Sequence, residues 1–280
     1  MSSGRGSRVG SSGAPRELGG RVRVCTADNA GPLTLDGTRS YLVGGERCAL
    51  IDPGPDLAGQ LERLQRLAAG RRVESICLSH AHPDHAAAAE RAARAFGVRV
   101  HASSETLHRL GIDGEALDDG DPIEVDGERR ALTALATPGH SHDHLCFWRS
   151  ADRLLFTGDL VLGSGTTVIL HPDGEMGAYL ASLTRLLSLR PRRILPGHGE
   201  PVENPMRLLN EYRTHRLERE RQIAESVRRG ARSVAEIRRR LYGELEPALQ
   251  TAAEASIRAH LAHLAAKGMK LPRLEGHEPR

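Results

Sequence analysis

Ser79–Glu90 reads SHAHPDHAAAAE and sets His80, His82, Asp84 and His85 within six positions, directly after the apolar run SICL. Side chains of these types repel one another when charged and lose solvation when buried. Their crowding therefore calls for a partner that stabilises all four, and a cation does. Imidazole nitrogens and carboxylate oxygens are donors that Zn²⁺ takes, about four to an ion at ~2.0–2.2 Å for N and O. Ligands at i and i+2, His80 and His82, converge on one ion if the loop turns back on itself, leaving Asp84 and His85 to face the other way. One loop so built serves two ions, and each needs further donors from elsewhere in the chain.

Short apolar strands alternating with amphipathic helices are the elements available to bring those donors in. YLVGGERCALID reads as two strands about Gly44-Gly45 that end at Asp52. Leu57, Leu61, Leu64 and Ala68 then share a helical face, with Gly70 as the stop. RVESICLS is a strand that runs straight into the histidine cluster, and the alanine run 86–94 a helix closed by Gly97. After the strand VRVHA, two strands flank Asp126-Gly127, the second ending in His140. HLCFWRS and RLLFTGD form a hairpin ending in Asp159, EMGAYLASLTRLLSL is a helix, and RRILPGHG is a strand ending in His198. Donor residues thus follow five strand ends, as in layered α/β proteins whose sites are built on loops over a rigid scaffold. His140 can complete the first donor set and His198 the second. Asp159, with two carboxylate oxygens, is placed to bridge.

The chain of 280 residues is long enough for one large domain with a small one beside it. Lys and Arg number 39 against 36 Asp and Glu, a net charge of +3 that gives no strong sign of a nucleic-acid partner. Cys25, Cys48, Cys77 and Cys146 are scattered, with no CxxC pair, which predicts buried free thiols in a reducing compartment. The Gly/Ser/Arg-rich start, residues 1–18, reads as a disordered tail without the apolar segment of a secretory signal, and no run is long enough to span a membrane. A cytoplasmic protein without membrane contact is expected. After Asn204 the texture is almost purely helical. A Ser233/Glu236 capping box opens one helix, and Leu249, Ala253, Ile257, Leu261 and Leu264 line a face of the next. Residues 206–280 are expected as a winged-helix-like module following a domain over 19–205. His215, His260 and His263 read as ordinary surface or helix residues.

The motifs HAHPDH, TPGHSHDH, FTGD and LPGHG, in that order over roughly residues 20–205, resemble those of the metallo-β-lactamase superfamily. GPLTLDGTRSYLVG, GTTVI and the helical tail resemble, more narrowly, its β-lactamase-like protein 2 group, which ends in a winged helix. The resemblance implies a four-layer αββα sandwich. It also implies two Zn²⁺ ions, with Mn or Fe as alternatives: His80, His82 and His140 on the first, Asp84, His85 and His198 on the second, and Asp159 between them. Asp52 would orient a ligand from behind. Arg39 stands where such proteins often carry Asn, a departure that bears on substrate fit.

Two divalent ions about 3.5–4 Å apart hold a bridging water and depress its pKa toward ~7. The expected activity is therefore hydrolysis by a metal-bridged hydroxide, with Asp84 as a catalytic carboxylate and His144 as a second candidate that orients substrate or donates a proton. The donor set does not distinguish a phosphoryl from a carbonyl centre. The group resemblance leans toward phosphodiester cleavage of single-stranded RNA. Thioester or ester hydrolysis of a small molecule, as in glyoxalase II-like and polyketide-releasing relatives, is the alternative. A metal-stabilised scaffold whose tail binds a partner is the third reading.

Overall fold

The structure, a computed structural model, describes residues 14–276. The expected N-terminal tail lies outside the described residues up to residue 13, but its last part does not stay free: Arg16–Gly19 pairs as a strand. One sheet runs β1 (Arg16–Gly19), β2 (Val22–Thr26), β3 (Arg39–Val43), β4 (Arg47–Ile51), β5 (Arg72–Cys77), β6 (Val100–Ala102), β7 (Glu115–Ala116) in spatial order. It is antiparallel up to β4 and parallel beyond. The other sheet runs β12 (Arg193–Pro196), β11 (Leu154–Gly158), β10 (Leu145–Arg149), β9 (Glu128–Ala136), β8 (Pro122–Val125). All its pairs are antiparallel except β11 with β12.

Three apolar layers separate these sheets and their helices. Between the sheets lie Val24, Tyr41, Ile51, Phe147, Phe156 and Leu195, with Tyr41 and Phe156 edge to face at 5.3 Å. On the outer side of the first sheet, α1 (Gln60–Ala68), α3 (Ala89–Phe96) and α4 (Ser104–Leu110) cover Leu42, Leu50 and Ile76 with Leu64, Ala92 and Leu107. On the outer side of the second, α5 (Met176–Leu189) supplies Tyr179, Leu183 and Leu186. The result is the expected αββα sandwich. All four cysteines are buried and free within strands.

Parallel pairing fixes where the donors arrive. Ile51 of β4 lies opposite Cys77 of β5, so both chains leave the sheet at the same edge, and Asp52 N donates to Cys77 O at 2.9 Å. On the facing sheet Gly158 of β11 pairs with Pro196 of β12, which brings Asp159 and His198 out together. The helix read across the alanine run is in fact broken. A single turn, α2 (Pro83–Ala86), stops before α3 because the chain after β4 intervenes: Gly54 N donates to His85 O and Ala88 N to Gly54 O. The first helix also starts later than its apolar spacing implied, after Gly59 in a left-handed turn, and Leu57 is left exposed. β9 ends at Ala136, four residues short of His140.

The tail comprises α6 (Pro205–Arg228), α7 (Val234–Tyr242) and α8 (Pro247–Ala266). Ser233 caps α7 through Glu236 N, while the Glu236 carboxylate accepts from Arg232 N instead of closing the box on Ser233. Beyond α8 the described residues form one bridge, Ser233 with Glu275, and no hairpin wing. The helices expected of the tail are present among the described residues. No helix among the described residues is long and apolar enough to cross a membrane.

The tail has its own small core of Ile223, Val227, Ile237, Ile257 and Leu261, yet Leu209, Tyr212 and Ala259 are buried in the layer over the second sheet. Leu162 N donates to the Tyr212 hydroxyl at 3.2 Å. Burying a side chain of the size of Leu209 contributes roughly 1.5–3 kcal/mol, out of a net stability of about 5–15 kcal/mol. A chain ending at Met206 should accordingly lose its near-ultraviolet circular dichroism and its cooperative denaturation transition. A truncated protein that unfolds at the full-length denaturant midpoint would contradict a shared core.

Candidate metal centre

Two groups of donors converge where the sheet edges meet. One ligand atom each of His80, His82 and His140 lie within 4.8 Å of one another, and so do those of Asp84, His85, Asp159 and His198. His140 Nε2 is 3.0 Å from His82 Nδ1, and His85 Nε2 is 3.2 Å from His198 Nε2. Asp159 spans the groups: Oδ1 is 3.2 and 3.3 Å from the Nε2 atoms of His85 and His198, and Oδ2 is 3.8 Å from His140 Nε2. Asp84 Oδ2 is 3.1 Å from His198 Nε2. The residues expected at the two sites are thus assembled as two adjacent sets.

The other nitrogen of each ring decides what the inward one can do. His140 Nδ1 faces Val168 O at 2.9 Å and His198 Nδ1 faces Gly37 O at 3.3 Å. Carbonyl oxygens only accept, so both rings carry their proton there. His85 Nδ1 faces the Asp52 carboxylate and His82 Nε2 the Asp173 carboxylate, each at 2.9 Å. Ser79 Oγ donates to Asp52 at 2.7 Å, which leaves it to accept from His80 Nδ1 at 2.9 Å. All five outward nitrogens are therefore donors, so in each neutral ring the lone pair points inward. His80 Nε2 is buried with no hydrogen-bond partner. Opposed lone pairs at these separations repel unless a proton or a cation lies between them.

The charges give the same answer. Burial opposes charging His85, but Asp159 and Asp52 outweigh it and hold His85 well above its ordinary value; for His198, Asp159 and Asp84 do the same and raise it to about 9. Burial raises Asp159 too, yet the same two imidazoles hold it well below the carboxylate range. These carboxylates demand positive charge, which divalent cations supply while releasing the protons. Burial and the surrounding imidazoles keep His80 neutral, with its lone pair free to donate. At Gly197 a Cβ would sit 2.5 Å from His85 Cε1 and 2.8 Å from Asp159 Oδ1, so this cradle requires glycine. Donor chemistry, orientation and space all fit a pair of divalent cations.

Three buttresses hold the 79–85 loop. Asp52, at φ 49° after β4, accepts from Ser79 N, Ser79 Oγ and His85, as its expected orienting role requires. Asp143 accepts from Ala81 N, Thr106 Oγ1 and Arg109, and Asp173 accepts from both His82 and Arg109. The sequence reading missed the last two. Asp173 lies 91 positions from the ring it holds, at no spacing that marks it.

His144 is placed differently from its expected catalytic role. It is buried behind Asp159, its Nε2 accepting from Asp159 N at 3.3 Å and its Nδ1 donating to Thr137 Oγ1 at 3.0 Å. Burial, foremost, lowers it to about 3. With both nitrogens occupied by the scaffold, it has none to offer a substrate. His142 is exposed, against Pro172 O. Arg39 is buried and grips Asp36 and Glu200, and its amide donates to Gly197 O, so it braces the His198 loop. His260 of α8, read as an ordinary residue, is fully buried against Glu220 of α6.

Removing an acceptor behind a ligand ring typically costs 10–100-fold in metal affinity. Asp173→Ala should weaken binding at the His80/His82/His140 set by about that factor, whereas His142→Ala should change it little. Competition against a chromophoric chelator measures both, and wild-type affinity in Asp173→Ala would contradict the assigned buttress.

Comparison with known proteins agrees with this geometry. Residues 33–198 match the metallo-beta-lactamase superfamily. The chain is 30% identical over 262 residues to the Beta-lactamase-like protein 2 homolog of Caenorhabditis elegans, covering 90% of this chain and 87% of that protein. It is 32% identical over 225 residues to the Atrochrysone carboxyl ACP thioesterase of Aspergillus fumigatus, covering 78% and 70%. A beta-lactamase domain protein from Burkholderia ambifaria superposes with a TM-score of 0.78 at 22% identity, over 92% of this chain and 89% of that one. TTHA1623, solved in a di-iron-bound form, is 30% identical with a TM-score of 0.51 over 63% and 93%. The matched motifs and the converging donors together make this chain a member of the metallo-β-lactamase superfamily and a metal-dependent hydrolase.

Proposed function

We propose that the protein hydrolyses esters or thioesters of apolar acyl groups at a dinuclear zinc centre. The observation that carries this reading is the cleft above the donors. Its volume is about 530 Å³, within the range of small-molecule sites, with His82, Asp84, His140 and Asp159 on its floor. Its walls include Leu33, Leu162, Val168, Leu170 and Leu249. Arg216 is the one Lys or Arg among the described lining residues, and it is engaged: its guanidinium donates to Thr167 O and lies over the Tyr179 ring. A single-stranded RNA needs a cationic track for its phosphates and aromatic platforms for its bases. The cleft offers no free cationic track and, besides its histidines, one aromatic lining residue, Tyr242, whose ring is already covered by Arg219; in the tail Arg238 pairs with Glu254 and Arg240 with Glu236. An apolar acyl group suits these walls better. A purely structural metal would be closed off by protein, whereas these donors open onto a cleft, which favours an enzyme over a scaffold. The thioesterase relative from Aspergillus fumigatus supports the same class.

His80, His82 and His140 would hold one cation, Asp84, His85 and His198 the other, and Asp159 would be shared. Imidazole-rich sets suit zinc, and iron is the alternative that the di-iron relative favours. Bound there, the pair supplies a water of lowered pKa and polarises a carbonyl oxygen. The chain's own part is orientation and exclusion. Asp52 and Asp173 keep the inward nitrogens of His85 and His82 bare and aimed. Asp84 lines the cleft floor beside Asp159, and a carboxylate oxygen there would be placed to take and pass on a proton. The apolar walls seat the acyl group and shed bulk water, which strengthens polar interactions at the floor.

Metal-loaded protein assayed in parallel on acyl thioesters and on fluorescent single-stranded RNA tests this. Thioester turnover that is abolished by chelation and restored by zinc is expected, with no RNA cleavage above the chelated control. Metal-dependent cleavage of RNA with inert thioesters would overturn the proposal.

A further inference from the structure

α8 is more apolar than its own small core requires. Ile257, Leu261 and Leu264 point into the tail core and Ala259 onto the sandwich, whereas Leu249, Ala252, Ala253 and Ser256 line the cleft. The single apolar face read from the sequence is therefore two faces, because a helix flanked by both a core and a cavity must be apolar toward each. The cleft face follows i, i+3, i+4, i+7 spacing and carries small side chains after Leu249. A second observation marks it as a ligand surface. Among the described residues five large hydrophobic side chains are exposed, and three of them, Leu33, Leu170 and Leu249, sit around this one cleft. Exposed apolar side chains gathered in a groove mark a binding site.

The floor and the wall come from different parts of the chain. The donors arrive from the sandwich, and α8 closes the far side, steadied through α6 by the Arg216 contact with Thr167 O. Thr167 Oγ1 in turn donates to Asp159 O at 2.7 Å, so the wall is tied to the backbone of the shared ligand. A carbonyl at the floor would direct its acyl substituent toward α8.

We propose that the α8 face of Leu249, Ala252, Ala253 and Ser256 is the far wall of an acyl pocket and sets the length of acyl chain the enzyme accepts. This rests on the acyl-hydrolase reading above. Each methylene seated against apolar wall is worth up to about fourfold in binding, so kcat/KM should climb with chain length and level off where the chain meets α8. The deciding measurement is the kcat/KM profile of the metal-loaded full-length protein across butanoyl to dodecanoyl thioesters. Ala253→Phe should move the plateau to shorter chains and lower the decanoyl-to-butanoyl ratio by about tenfold or more. Leu249→Ala, which only enlarges the pocket, should move it to longer ones, and direct titration with decanoate should follow the same order. Thr251→Phe, on the exposed side of α8, should leave the profile unchanged. Thioester hydrolysis with an unaltered length profile in Ala253→Phe and Leu249→Ala would overturn this inference and leave the acyl-hydrolase reading standing. A wild type inert on thioesters of every length would remove both.

Discussion

Five imidazoles, four of them buried, turn one nitrogen each toward two carboxylates at the floor of the cleft. Leaving one such group buried and uncompensated costs several kcal/mol, comparable with the net stability of a typical domain. The fold answers this with a division of labour: outward nitrogens are satisfied by protein and inward ones are reserved for cations. Asp52 shows how tightly the two are linked. Its carboxylate takes the Ser79 amide, the Ser79 hydroxyl and His85 at once, so one side chain shapes the loop, fixes two ring tautomers and satisfies its own charge. Folding of this region and metal binding are on this account one equilibrium.

The same constraint explains the architecture around the centre. Parallel pairing of β4 with β5 and of β11 with β12 sends Asp52, the histidine loop, Asp159 and His198 out at one edge of the sandwich. Gly197 leaves room that a methyl group would fill. The helical tail then supplies what the sandwich lacks. Leu209 and Tyr212 complete the layer over the second sheet, Arg216 fastens the Thr167 loop, and α8 walls the cleft. A two-sheet hydrolase without that wall would hold its cations at an open rim. With it, the donors lie at the floor of a largely apolar pocket lined in part by the tail.

Much of this was legible in the sequence because donor residues are rare and their positions after apolar runs are distinctive. The histidine loop, His140, Asp159 and His198 each followed a run with strand character, and Asp52 stood at the end of another. What escaped was long-range or conditional. Asp143 and Asp173 are ordinary acidic residues until the fold brings them to Ala81 N and His82. His144 carries the same side chain as the donors, and only its place behind Asp159 N gives it a scaffold role. The break between α2 and α3 depends on Gly54, a residue from another element, inserting its backbone into the alanine run. The two faces of α8 could not be separated because helical spacing reports that a face is apolar and not what it meets. The apolar cleft was invisible for the same reason, and with it the ground for proposing an acyl substrate.

The central claim is that these residues form one dinuclear centre held together by Asp159. The metal content of the purified full-length protein and of Asp159→Asn, measured by mass spectrometry of the ions, tests it directly. Asn keeps the shape but removes the charge that offsets both cations. The account predicts two divalent ions per chain in the wild type and loss of one or both in Asp159→Asn. At most one ion in the wild type, with the same content in the variant, would contradict it.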